Sequence, residues 1–360
     1  MSILYNKRIT LVEIRRIKSI VCYNYLMKRY TKIGLLLFAF ITMPQQLFAH
    51  VRYIASDDDV AKYGGIDFAA LLEPLTQPVN IFLIVVTCII ILALYWLLNH
   101  NRIFHKWSDH MAKVGESYKV FVPWMARLAL GIALLGAGTS NYLISPVLTN
   151  GGEMFSFIQI LLGFFLMAGI LVGPTAVATL LLFIFALTQD SYLLGSFDIL
   201  ALILSILVVD SRLPGVDDIV GIPDFTHIAA LRAHLPLILR SGVGIAMAYL
   251  AIYEKILNPH LSSFVVEVTN LVNVIPVSSA MWTLSAGIIE LAIGLTLIAG
   301  FKTRLTSVVA IIVLSMSFFY FGESVISHVT LFGILAIVFV MGPGTWSVDA
   351  LLRKMHGKKV

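Results

Sequence analysis

Five side chains in the C-terminal third of the sequence have the chemistry to pass protons: Glu254, Glu290, Tyr320, Glu323 and His328. Glu290 sits about ten residues from either end of the apolar run 280–300. At roughly 1.5 Å per residue, that places it near the middle of a hydrocarbon layer. A central charged residue costs about 2.5–3.5 kcal/mol to insert, so such residues face the interior of a bundle and meet a partner. Glu254 and Glu323 end apolar runs at one face, and His328 opens the next run there, with Tyr253, Trp282 and Tyr320 at similar depth. A carboxyl, an imidazole and a phenol brought together make a proton relay. The structural alternative is a protonated Glu290 bonded to a neighbouring helix, with the three aromatics forming an interfacial belt.

Other chemistries lack their residues. Cys22 and Cys88 form no Cys-x-x-Cys pair, so thiol redox and c-type haem attachment are not expected. His100, His105 and His110 are spaced by five, which is not the i,i+4 of a helical metal pair, and no metal site is expected. His50, which would lead the chain after cleavage at Ala49, has no second histidine before His100 to complete a copper site. Only His328 lies within an apolar run, which excludes a two-histidine haem within one chain, and no flavin or iron–sulfur motif is present. The expectation is no intrinsic cofactor.

Composition sets the class. With 59% hydrophobic and 12% charged residues and a mean hydropathy of +0.93, the chain is far more apolar than a soluble protein. It reads as an all-α polytopic membrane bundle. The net charge of +5 comes without a basic patch interleaved with aromatics, so nucleic acid is set aside and the bilayer is the expected partner. Apolar runs fall at 79–98, 122–143, 154–171, 174–188, 194–210, 236–256, 280–300, 305–321 and 326–342, about nine spans, several of them short for a perpendicular crossing. With residue 50 outside, the inner segments hold twelve Lys and Arg against Arg52, Lys62 and Lys255 outside. This asymmetry puts the C-terminus in the cytoplasm and the chain in the cell (inner) membrane.

Residues 1–26 precede a serviceable start at Met27 and read as an upstream extension. Residues 27–49 have the basic, apolar and small-residue order of a signal peptide, although Leu47 three residues before the cut leaves an uncleaved anchor open. An external segment, 50–78, precedes an extra span and cytoplasmic interfacial segment, 79–121. Residues 216–235 are a linker, and 351–360 are a basic tail that follows a cap at Ser347.

The rest is a repeat. Arg127-Leu-Ala-Leu-Gly131-Ile-Ala133 aligns with Arg240-Ser-Gly-Val-Gly244-Ile-Ala246, Ile158-Gln-Ile-Leu-Leu-Gly163 with Ile289-Glu-Leu-Ala-Ile-Gly294, Gly169 with Gly300, and Pro214-Gly215 lies near Pro343-Gly344. Two parallel four-helix units follow, 122–215 and 236–350, each beginning inside. In this alignment Asn141 faces Glu254 and Gln159 faces Glu290, so amides stand in the first unit where the second has carboxylates. An amide cannot titrate. The second unit is therefore expected to hold the working site and the first to be a structural copy. Arg127 and Arg240 are expected to snorkel or to tie helix ends to carbonyls.

The set Arg240, Gly244, Glu290, Gly294, Gly300, Arg304, Gly322-Glu323, His328, Gly342-Pro-Gly344, Ser347 and Asp349 resembles the DoxX family of small membrane proteins. The resemblance covers about 236–350 and implies a four-helix unit linked by family name to quinol oxidation or thiosulfate:quinone oxidoreduction. It makes quinone the candidate ligand and a redox subunit the candidate partner. Whether the chain is an enzyme remains open at this point, because an accessory oxidoreductase subunit, a proton-linked small-solute transporter and a non-catalytic scaffold share these features. The sequence does not set the oligomeric state.

Overall fold

An apolar run in hydrocarbon must satisfy its own backbone, and among the described residues this chain does so with helices alone. The structure, a computed structural model, describes residues 57–355 apart from 147, 149–151, 210–214, 223–227, 275–276 and 322–324. The segments read as extension and signal, with Cys22, His50 and Glu323, lie outside the described residues. In order, the helices are α1 Asp57–Tyr63, α2 Phe68–Leu72, α3 Pro78–His100, α4 Arg102–Tyr118, α5 Val122–Thr139, α6 Gly152–Ala168, α7 Val172–Gln189 and α8 Phe197–Val208. After α9 Val216–Val220 come α10 Leu235–Leu250, α11 Pro259–Val268, α12 Ser279–Ala299, α13 Thr303–Phe321, α14 Val325–Met341 and α15 Val348–Met355.

Every one of the nine apolar runs falls on helix. Among the described residues, by length and composition, six helical stretches can cross a membrane, or seven if Phe68–Thr76 and Pro78–Ile91, bent by 85°, form one span. Gly152–Ala168 and His328–Met341 are shorter apolar helices. Gly169 and Gly342, both left-handed, directly follow α6 and α14. The chain is a multi-pass helical membrane protein. Helix α3 is apolar all round and exposes Val79, Phe82, Ile89 and Trp96, as a lipid-facing helix does.

Two units of four helices, α5–α8 and α10 with α12–α14, pack by the same rules. In each unit the first two helices cross at a glycine pair, Gly131 against Gly163 and Gly244 against Gly294, where an added Cβ would come within 2.6–2.9 Å of the facing backbone. Between units the last helix of each lies on the first helix of the other, α8 on α10 and α14 on α5. The small residues at these crossings correspond as well: Gly242 meets Ala201, and Gly333 meets Ala129. Two copies related by an axis along the bundle would pack in this way.

The turn between the second and third helix of each unit is also duplicated. Gly169 and Gly300 both have φ +70°, and the residues two further on, Leu171 and Lys302, are left-handed at φ 45° and 47°. Asp217 accepts from the Leu171 and Val172 N–H groups at 2.8 and 2.9 Å, and Asp349 accepts from those of Lys302 and Thr303 at 2.8 and 3.1 Å. Arg240 donates to the carbonyls of Leu297, Ile298 and Trp346, which selects the carbonyl-tying role over snorkelling. Asp217 as the counterpart of Asp349 was hidden in the sequence, because it lies in the stretch read as linker.

At the opposite end α1 and α2 fold over α11. Tyr63 stacks on Phe264 at 4.4 Å, Gly65 N–H donates to Asn258 Oδ1 at 2.9 Å, and His260 Nε2 lies 3.0 Å from Asp67 Oδ2. The His260 contact and the Ala70 and Ala69 N–H groups hold the Asp67 carboxyl below the usual carboxylate range. A depressed carboxyl stabilises above its unfolded value and loses that contribution as pH falls through its folded value. Hydrogen exchange across 57–72 should therefore quicken as acid titrates Asp67. Asp67→Asn should show that fast exchange already at neutral pH; equal exchange in both proteins would show that the cap is held by Tyr63 and Phe264 alone.

Candidate functional site

Helix α10 does not run regularly to its end. From Ala251 to Ile256 it widens into a π-helical turn, a feature that costs ideal geometry and recurs at functional sites. Ser262 Oγ, on α11, donates to the Glu254 carbonyl at 2.7 Å within this turn. Glu254, 2% exposed, and Lys255 are consecutive residues of the turn. One helix away on α12, Gly287 stands three residues before Glu290, and a Cβ there would come within 3.1 Å of Lys255 Cβ. Lacking that atom, α12 lets the lysine stem pass close and reach the carboxylate beyond.

Lys255 Nζ donates to Glu290 Oε2 at 2.8 Å and lies 3.5 Å from Glu254 Oε2. The side chains of Lys255 and Glu290 are 15% and 24% exposed. Tyr192 OH donates to Glu254 Oε1. Its phenol comes from the 3₁₀ turn Ser191–Ser196 of the first unit, which is capped by Asp190 accepting from Tyr192 N–H at 2.8 Å. The Tyr192 ring meets Tyr253 edge-on at 5.6 Å, and Tyr253 stacks on Tyr249 at 5.7 Å.

Of the five expected site residues, Glu254 and Glu290 are brought together, by a lysine that the sequence reading had counted only as an outer-loop charge. His328 is seated on α14, 3% exposed, with Phe318 at 6.2 Å and Phe332 at 6.5 Å. Tyr320 is 42% exposed, and its hydroxyl donates to the Thr269 carbonyl at 3.1 Å. The first unit is also more than a copy, since it contributes Tyr192. Two signals pointed to this arrangement, the adjacency of Glu254 and Lys255 at a span end and Gly287 on the Glu290 face of α12. Tyr192 had none, because its approach depends on how the two units dock.

In the first unit the Gln159 amide does backbone work, while Asn141 Oδ1 accepts from Ser156 Oγ at 3.0 Å. Gln159, fully buried, accepts from Ile144 N–H at 2.7 Å and donates to the Tyr142 carbonyl at 2.8 Å, closing a loop in which Asn141 and Ile144 have positive φ. A carboxylate could make the first of these bonds but not the second.

Two carboxylates, one ammonium and one phenol sum to a single negative charge when both acids are ionised. One added proton brings the group to neutrality, the condition hydrocarbon tolerates best. The arrangement can therefore bind and release a proton while Lys255 keeps an anion beside it.

The DoxX family model matches residues 235–323, which carry Glu254, Lys255, Glu290 and Tyr320. No curated protein and no solved structure matches the chain. The chain is accordingly an integral membrane protein whose segment 235–323 is similar to the DoxX family.

Proposed function

We propose that the chain is the membrane subunit of a quinone-linked oxidoreductase complex and that the Lys255 group handles its protons while a partner subunit carries the electrons. The observation behind this reading is the ion-paired Glu254–Lys255–Glu290 group within an apolar bundle. Reducing a quinone consumes protons, and its head-group asks for a hydrogen-bond donor at each carbonyl. The Lys255 ammonium, with one N–H beyond those facing the two acids, and a protonated Glu290 offer donors on the flank where both side chains are partly exposed, so the donor set fits. With the C-terminus in the cytoplasm and the chain in the inner membrane, the group lies toward the outer leaflet.

The π turn favours a second reading, proton-linked transport of a small solute, because it interrupts a span beside the charged group. Membranes carrying Glu290→Gln at normal abundance should lose about a hundredfold in quinone-dependent electron transfer, the scale of one general acid. Gln159→Ala should lower abundance and leave the activity per molecule intact. Equal, mild effects of both substitutions would overturn the reading. Solute-driven proton flux in liposomes holding this chain alone would favour transport instead, whereas mass spectrometry that finds quinone and a redox subunit retained would favour the complex.

A further inference from the structure

We infer that Tyr192, supplied by the first unit, divides the work between the two acids: Glu254 is the fixed counterion of Lys255, and Glu290 is the carboxyl that exchanges the proton. The inference rests on the proton-handling role proposed above and assigns its parts. Glu254 is 2% exposed, takes the phenol hydrogen bond on Oε1 and has the ammonium beside Oε2, so both oxygens already face donors. Its backbone is pinned through Ser262. Glu290 is 24% exposed and meets Lys255 through Oε2.

The phenol is itself held in place. Asp190 caps its turn, Tyr249 OH donates to the Ser191 carbonyl at 3.3 Å, and Gly195 lies so close to Leu250 that a Cβ would come within 2.6 Å of it. These contacts hold the backbone of the turn against α10, and the Tyr192 ring, 4% exposed, is enclosed there. When a proton joins Glu290, Lys255 remains beside Glu254, and one positive charge still faces one negative charge. Were Glu254 to take the proton instead, the proton would have to reach the more deeply enclosed acid, and the phenol and ammonium that favour its ionised form would lose that anion. Among the described residues Glu254, Lys255, Glu290 and Tyr192 form the ion-paired and hydrogen-bonded group of this exchange, and Tyr253 meets the Tyr192 ring.

The test is the infrared C=O band of protonated carboxyl, recorded in lipid nanodiscs after a pH step. The wild-type band should vanish in E290Q and persist in E254Q. In E290Q combined with Y192F a band from Glu254 should appear, because the phenol no longer favours the ionised form of Glu254. A band that survives E290Q with Tyr192 in place, or one lost in E254Q alone, would overturn the assignment, and these two single variants decide it even if Y192F misfolds. Absence of a new band in a folded Y192F/E290Q double variant would remove Tyr192 from its role. Full electron-transfer activity in an E290Q protein that lacks the band would overturn the proposed function and leave the assignment standing.

Discussion

Lys255→Met is expected to destabilise the protein by about 3–5 kcal/mol, the scale for leaving a buried charge without its partner. Methionine keeps the length and much of the apolar stem that passes Gly287, so packing changes little and the charge is what is lost. Two carboxylates would then share one enclosed site with no cation, one of them 2% exposed. Against a typical total stability of about 5–15 kcal/mol this is a large fraction. Thermal unfolding in detergent, followed by size exclusion, should show a sharply lower midpoint. The triple variant Glu254→Gln, Lys255→Met, Glu290→Gln should recover most of that loss, since neutral amides need no counterion, while remaining inactive in proton exchange. If the single variant unfolds like the wild type, the three groups are not coupled and the site as described does not exist.

How much of this was legible beforehand depends on the range of the interaction. Hydrophobic runs declare helices locally, which is why every one of the nine coincides with one. The glycines at 131, 163, 244 and 294 were visible as a repeat, and the structure gives their reason, backbone contact at two equivalent crossings. Glu254 and Glu290 stood out because carboxylates are costly in an apolar run. What failed to show was the geometry that joins them. The π turn has no composition of its own: Ala251-Ile-Tyr-Glu-Lys-Ile256 reads as ordinary helix. Lys255 at a span end looked like an interfacial charge until the turn and Gly287 brought it against α12. The first unit was undervalued for a similar reason: its amides gave away a structural role, while Tyr192, which reaches the other unit, gave no sign.

Gly294→Leu should prevent the second unit from assembling. At this position a Cβ would come within 2.7 Å of the Gly244 carbonyl oxygen and 2.9 Å of the Ala248 nitrogen, so the clash is with backbone and no side chain can turn aside. Helices α10 and α12 would have to separate. That separation loses the close packing on which membrane helix association depends, where no hydrophobic drive between helices replaces it. Overpacking a core costs about 1–3 kcal/mol when neighbours can yield, and more when they cannot. It would also pull Glu290 away from Lys255, because both helices carry the charged group. The same substitution at Gly163, which faces the Gly131 carbonyl and the Leu135 nitrogen at 2.6 and 2.9 Å, should be as damaging to folding. Ala292→Leu, on the exposed face of α12 two residues away, is the control and should leave abundance and monodispersity unchanged. Fluorescence-detected size exclusion of the three variants separates the possibilities. Collapse at Gly294 and Gly163 with a normal Ala292 variant would show that the two glycine crossings set the frame on which the Lys255 group is built, and a tolerated Gly294→Leu would show that the helices lie farther apart than the duplicated contact requires.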